Sequence, residues 1–212
     1  MAPGHRNPPP SQMKPTALTG CTIRSSHEQT NRDPAVSEGI RIRRFSTADA
    51  VPFHEAARES AAEMLPWMPW CRPDYSLEEA RGWVGSRERL FTEGLEYSFV
   101  IVGSAGRLLG ACDLNQIHRA YRLANLGYWV RTSETGRGVA PTAIRLLAQF
   151  AFTHTDLARL EIICAVGNRR SQRAAEKAGA AREGLLHDRL FLHGRLHDAV
   201  IYAILRSRWG AV

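Results

Sequence analysis

The chain has 212 residues, 44% of them hydrophobic, and a formal net charge of +7. That length supports one well-buried domain and little more. No apolar run approaches the ~20 residues needed to span a bilayer, and Met1 to Pro10 is polar and proline-rich, unlike a secretory leader; the expectation is a cytoplasmic protein with no membrane partner. Almost all of the positive charge is arginine, with Lys14 and Lys177 the only lysines. A basic surface suits an anionic small molecule as well as nucleic acid, and no basic strand face carries interleaved aromatics, so direct nucleic-acid binding is not expected. Cys21, Cys71, Cys112 and Cys164 lie far apart with no CxxC pair, which reads as free buried thiols rather than disulfides or zinc ligands.

Residues 1–38 are rich in Pro, Ser, Thr, Asn and Gln and are expected to form a disordered tail, because they bury too little to offset their ordering entropy. A domain is expected over residues 39–208. Ile40 to Phe45 alternates apolar and basic as a strand would, and Ser46 caps a helix reaching about Met64. Leu65 to Trp70 is an aromatic loop broken by two prolines. Ser76-Leu77-Glu78-Glu79 is a capping box opening a helix that stops at Gly94. Three strand-like runs follow: Glu96 to Gly103, Leu108 to Ile117 and Leu123 to Arg131. A helix from about Pro141 to His154 carries Ala140, Ala143, Ile144, Leu147, Phe150 and Ala151 on one face. Leu160 to Val166 is a buried strand, Asn168 caps a helix ending at Ala178, and Arg189 to His193 with His197 to Leu205 make a last hairpin around Gly194. Helices first, then an antiparallel meander, then strand–helix units is an α+β order: a mixed, mostly antiparallel twisted sheet with helices on both faces.

The most informative stretch runs from Leu126-Gly127-Tyr128-Trp129-Val130-Arg131 into Gly136-Arg137-Gly138-Val139-Ala140. A strand that stops at a glycine loop and opens into a helix aims unpaired N–H groups and a positive dipole end at one spot, which suits a pyrophosphate. A dinucleotide fold is a poor rival, since position 140 is Ala, 141 is Pro and no βαβ unit precedes the loop. No GxSxG elbow supports a serine hydrolase.

In this order and spacing, five landmarks carry a family resemblance over about Ile40 to Leu205. They are Pro66-Trp67-Met68-Pro69-Trp70; Leu126 to Val130; Gly136 to Ala140; Asn168-Arg169-Arg170-Ser171; and Glu176-Lys177-Ala178-Gly179 with Glu183-Gly184, Gly194 and Asp198. The chain resembles the GNAT superfamily of acetyl-CoA-dependent N-acetyltransferases, within it the RimJ/RimL branch that acetylates ribosomal proteins. The resemblance implies acetyl-CoA as co-substrate, no metal, and an amine acceptor, most readily the α-amino group of a protein or peptide N-terminus. It places the pyrophosphate on the backbone of Gly136, Arg137, Gly138, Val139 and Ala140. Trp129, Val130 and Arg131 would splay from the strand starting at Arg159 and hold the pantetheine, with Asn168 as a further partner. Ser171 would stand near the CoA sulfur. The family usually has Gln or Arg where this chain has Thr135.

Acetyl transfer to an amine needs a proton acceptor for the amine, donors for the oxyanion and a proton for the leaving thiolate. The Val130 N–H suits the oxyanion, a role typically worth about 3–4 kcal/mol, and Ser171 suits the thiolate. Many relatives have Glu at the position of Asn125, which cannot take a proton; Asp113, His118, His187 and Asp188 remain as bases, directly or through water. An α-amine (pKa ~8) is uncharged far more often than a lysine (pKa ~10.4), so a site without a dedicated carboxylate favours α-amines. Trp67 and Trp70 either wall the acceptor pocket or cover the core edge; Asp113 and Asn115 either line the acceptor side or lie exposed. Ser171 has the rival role of a helix-start residue bonded to Asn168. Arg169 and Arg170 are solvated helix-start residues or touch the 3′-phosphate. His187, Asp188, His193, His197 and Asp198 read better as hairpin surface residues than as a metal cluster. Two other functions are open: acetylation of a small amine, and acetyl-CoA binding without catalysis.

Overall fold

The computed structural model describes residues 36, 37 and 39–210. The strands are β1 (Val36–Ser37), β2 (Ile40–Arg44), β3 (Tyr97–Val102), β4 (Leu108–His118), β5 (Leu123–Val130), β6 (Arg159–Ala165), β7 (Ala181–Leu192) and β8 (Arg195–Leu205). The helices are α1 (Ala50–Met64), α2 (Leu77–Thr92), α3 (Val139–His154) and α4 (Arg169–Lys177). One sheet runs in the order β1-β2-β3-β4-β5-β6-β8-β7, and every neighbouring pair is antiparallel except β5 and β6. The expected α+β architecture is therefore present.

Alternation along the strands divides the core between the two faces. Cys112 and Leu114 of β4, Leu126 of β5 and Leu160, Ile162 and Cys164 of β6 pack with α3. Ala111 of β4 and Trp129 of β5 pack on the opposite face with Phe53 of α1 and Val84 of α2. Phe53 is the centre of that second layer: its ring stacks on Trp83 at 4.8 Å and on Trp70 at 6.0 Å, and meets Trp129 edge-on at 5.4 Å.

Local signals set the helix starts. Ser76 accepts from the Glu79 N–H at 3.2 Å, while the Glu79 carboxylate accepts from the Ser76 N–H at 2.9 Å, the reciprocal capping box. Ser46 makes the equivalent start through Asp49, but its first turn is a 3-10 turn and α1 begins at Ala50. The α3 helix opens at Val139, before Pro141, because Gly138 at φ +79° turns the chain straight into it.

The last hairpin is longer than the sequence implies. Strand β7 begins at Ala181, not Arg189. Register shifts between Arg182 and Gly184 and between Leu186 and Leu190 break its alternation, and its position at the sheet edge leaves most of it exposed. Both signals that mark a strand in sequence are thereby erased. The turn itself, His193-Gly194 with φ of +49° and +76°, is a two-residue hairpin turn.

The disordered tail expected over 1–38 falls outside the described residues except for Val36–Ser37, which pairs with Ile40 and Arg41 of β2. Cys71, Cys112 and Cys164 are free and buried, and Cys21 lies outside the described residues.

Candidate active site

Strands β5 and β6 are in register only at Leu123–Arg159, Ala124–Leu160 and Asn125–Glu161; beyond Asn125 they part. On its other side β5 stays paired with β4 as far as Val130 opposite Gly110, and the Arg131 N–H continues the ladder to the Leu109 carbonyl at 2.7 Å. In an antiparallel ladder, hydrogen-bonded and non-bonded residues alternate. With Arg131 bonded to β4, Val130 and Tyr128 aim their main-chain groups the other way, into the gap left by β6. Gly110 permits this close approach, since a Cβ there would sit 2.1 Å from the Trp129 carbonyl oxygen.

The loop after β5 is braced from α1. Arg131 gives its Nε to Glu59 at 2.5 Å, the Ser133 N–H donates to Glu59 at 3.1 Å, and the Thr132 N–H donates to the buried Ser60 hydroxyl at 3.0 Å. Ser60→Ala strands that N–H, so a stability loss of about 1–3 kcal/mol and weaker acetyl-CoA binding are expected, measurable by chemical denaturation and calorimetry. Past the brace, Gly136 and Gly138 both take φ +79°, and the space where a Cβ would stand is open at each. Among the described residues, no main-chain N–H of residues 136 to 140 donates to a backbone carbonyl; the first such bond of α3 is Thr142 to Gly138.

Two clefts meet at the gap. The first, about 760 Å³, is lined by Gly136, Gly138, Val139 and Ala140 of the loop, by Thr135, and by Arg169, Arg173 and Lys177 of α4. Glu63 of α1 and Arg170 of α4 are paired at 2.5 Å beside it. The second, about 690 Å³, lies on the α1–α2 face and has Trp70, Tyr75 and Trp83 as aromatic walls and Asp113, Asn115 and Asn125 on its floor. Trp67, Met68, Tyr128, Trp129, Asn168 and Ser171 line both.

The gap thus separates two polar sets on opposite faces of the sheet. On the α3–α4 face, Ser171 Oγ lies 2.8 Å from the Tyr128 hydroxyl and 3.1 Å from Cys164 Sγ, and the Ser171 N–H donates to the Asn168 side chain at 3.1 Å. Asn168 therefore caps α4 and fixes Ser171 at once. Burial holds the Tyr128 phenol and the Cys164 thiol above their ordinary values, so both stay protonated. On the α1–α2 face, Asn125 Nδ2 donates to Asn115 Oδ1 at 3.0 Å and Asn115 Nδ2 to Asp113 Oδ2 at 2.7 Å. Burial pushes the Asp113 carboxyl up to about 6, with the Glu96 carboxylate adding to the rise against the Asn115 hydrogen bond and the Arg87 charge. Gly127, opposite Asp113, leaves room for that carboxylate: a Cβ there would lie 2.4 Å from Asp113 Oδ1.

Residues 40–181 match the acetyltransferase (GNAT) domain. The chain belongs to the GNAT acetyltransferase family. It is an acyltransferase, and GNAT acetyltransferases draw on acetyl-CoA. It is 29% identical over 177 residues to the putative ribosomal N-acetyltransferase YdaF of Bacillus subtilis, covering 82% of this chain and 95% of that protein. It is 26% identical to the ribosomal-protein-serine acetyltransferase of Escherichia coli, covering 79% and 93%. Among solved structures, a probable acetyltransferase superposes with a TM-score of 0.77 at 27% identity, over 84% of this chain and 99% of that one. RimL, the ribosomal L7/L12 alpha-N-protein acetyltransferase, solved with coenzyme A, superposes with a TM-score of 0.76 at 24% identity, over 82% and 98%. The described residues of this GNAT chain contain no helix long and apolar enough to cross a membrane.

Within the GNAT fold, the sequence-predicted residues fall into place unevenly. The loop glycines, Val139, Ala140, Trp129, Val130, Asn168 and Ser171 line the first cleft, and Trp67, Trp70, Asp113, Asn115 and Asn125 line the second. Trp70 both walls the second cleft and stacks on Phe53 in the core layer beneath it. The side chain of Arg131 pairs with Glu59, and that of Arg137 pairs with Glu134, itself a residue of the first cleft's lining. His187 pairs with Asp198 at 3.0 Å, and His193 donates to the Leu65 carbonyl at 2.8 Å. Sequence reasoning missed Tyr128 as a side chain, Cys164, Glu96 and Arg87. Tyr128 stands inside one of the landmarks; the other three carry no local signal.

Proposed function

We propose that the chain transfers acetyl from acetyl-CoA to the α-amino group of a protein or peptide N-terminus by direct attack, with no covalent enzyme intermediate. The single observation that carries the reading is the opening between β5 and β6, with a glycine loop of unspent N–H groups at one end and a carboxylate-floored aromatic cleft at the other. The donor's pyrophosphate lies on the main chain of Gly136, Arg137, Gly138, Val139 and Ala140, where the N-terminal dipole of α3 reinforces it. Its pantetheine runs along Trp129, Val130 and Arg131 and past Asn168, bringing the thioester into the gap. The Val130 N–H is the oxyanion donor, a contribution of about 3–4 kcal/mol for a preorganised donor. Ser171, held by Asn168 and Tyr128, gives its proton to the leaving thiolate. Asp113 takes the proton of the amine, with Asn115 and Asn125 orienting it. Trp67 and Trp70 hold the acceptor's first side chains.

A carboxyl near 6 also bears on the acceptor. The step from an α-ammonium to Asp113 is uphill by roughly two pKa units; from a lysine ammonium it is uphill by more than roughly four. Peptides with free N-termini are therefore expected to be turned over at least ~100-fold faster at pH 7 than N-blocked lysine peptides, with CoA thiol release as the readout. Faster turnover of lysine peptides overturns the acceptor assignment, and acetyl-CoA binding without thiol release from any amine overturns catalysis. The likeness to named ribosomal-protein acetyltransferases, YdaF and the Escherichia coli enzyme, supports the protein N-terminus over a small amine.

A further inference from the structure

Arg87 of α2 is nearly buried at 9% exposure, beneath the Trp83 ring with its guanidinium carbon 4.1 Å from the ring centre. It gives Nη1 to Glu96 Oε1 at 2.6 Å, and Ser98 Oγ donates to the same oxygen at 2.8 Å. Ser98 is the β3 residue directly opposite Asp113 on β4. Glu96 is thus clamped beside Asp113, and both carboxylates line the acceptor cleft. An ion pair built for stability needs Arg87 and Glu96 alone. Asp113, opposite Ser98 on the neighbouring strand, is a second acid within the field of the same guanidinium but not bonded to it, with an interior glycine at position 127 leaving space for it. Two half-buried carboxylates near one buried cation leave an unbalanced negative charge, which is costly unless a ligand or a proton answers it.

We propose that Glu96, clamped by Arg87 and Ser98, is a positioning residue for acceptor deprotonation: its charge makes Asp113 a stronger base and attracts the acceptor as an ammonium ion. The inference rests on the acetyltransferase reading with Asp113 as base. The other groups facing the pair are Glu79 at the cleft mouth, held by Arg72, the Tyr75 phenol, which burial raises to about 12, and the Cys112 thiol on the far face, which burial raises as well. Neither phenol nor thiol titrates near neutrality. In the step itself, an ammonium N–H bond breaks and its proton goes to Asp113. The freed lone pair bonds to the thioester carbon, the C–S bond breaks, and the sulfur takes the Ser171 hydroxyl proton. Ser171 is reprotonated at the expense of the nitrogen's second proton. The balance is one ammonium and one acetyl-CoA consumed, and one amide, one CoA thiol and one solvent proton formed.

The test is the pH profile of kcat/KM on a peptide with a free N-terminus, for the wild-type full chain and for the E96Q and R87Q variants. Acetyl-CoA affinity and melting temperature are measured alongside. The acid limb is expected to move to lower pH by about one unit in E96Q and to higher pH in R87Q, because one change removes a neighbouring negative charge and the other a positive one. Opposite shifts are a signature that a merely structural ion pair does not produce, and either variant that folds supplies its own half of the result. A limb that stays put in a folded variant overturns the role of Glu96 while leaving the acetyltransferase reading intact. A wild-type chain that neither binds acetyl-CoA nor releases thiol overturns the reading itself.

Discussion

Asp113→Asn is expected to lower kcat for peptide acetylation by roughly 100-fold or more, the usual yield of a positioned general base, with acetyl-CoA affinity unchanged. The reason is location: Asp113 sits on the floor of the α1–α2 cleft, one face of the sheet away from the Ser171–Tyr128 pair, so its loss leaves the cleft at the glycine loop intact. The wild-type profile should fall as pH drops through about 6, where the carboxyl becomes protonated, and that limb should vanish in the variant. Stability should move the other way. The Asp113 carboxyl is raised above the ordinary aspartate value of 3.8, so the fold binds its proton more tightly than the unfolded chain does. The charged form therefore costs stability above about pH 6, and the cost is relieved as pH falls from about 6 toward 3.8. Asn carries no charge, so the variant should melt no lower than wild type at about pH 8. Lost activity with retained or increased stability separates a base from a structural residue; an acid limb that persists in Asp113→Asn would remove Asp113 from the mechanism.

The legible part of this protein is the part written locally. Ser76 with Glu79 and Asn168 with Ser171 each declare a helix start within a few residues and stand where the pattern puts them, and the glycines at 136 and 138 declare a start that comes at Val139, ahead of the expected Pro141. The order of elements then followed from periodicity. The first half of β7 did not, because an edge strand with two register shifts obeys no alternation that a sequence can display. The floor of the α1–α2 cleft was half legible. Asp113, Asn115 and Asn125 stand on strands whose phase can be read, and the β4–β5 register brings Asn115 against Asn125. Glu96 and Arg87 were invisible for a different reason. Their meaning depends on α2 lying over the start of β3, a tertiary contact with no trace in the spacing of either residue. The resemblance supplied the gap between β5 and β6; nothing in the residues of either strand states where the pairing stops.

Gly127 offers the sharpest check on how fold and site depend on each other. It lies in the middle of β5, where a glycine ordinarily weakens a strand by about 0.5–1 kcal/mol relative to alanine. Its backbone is not in the left-handed region, so conformational freedom is not the reason for it. The reason is the Asp113 carboxylate, which occupies the volume a Cβ would take, with Oδ1 2.4 Å away and Asn115 Nδ2 at 3.5 Å. Asp113 cannot simply swing aside, because Asn115 holds its other oxygen at 2.7 Å. Gly127→Ala should therefore destabilise the wild-type chain by about 1–3 kcal/mol through overpacking and displace the carboxylate, lowering kcat. In an Asp113→Ala background the same substitution meets empty space and should be neutral or slightly stabilising. A double-mutant cycle by urea denaturation should then show a coupling of about 1 kcal/mol or more. Equal cost in both backgrounds would mean that the glycine serves the strand rather than the carboxylate. A coupling of the expected sign would mean that β5 gives up stability at that point to seat Asp113 in the α1–α2 cleft.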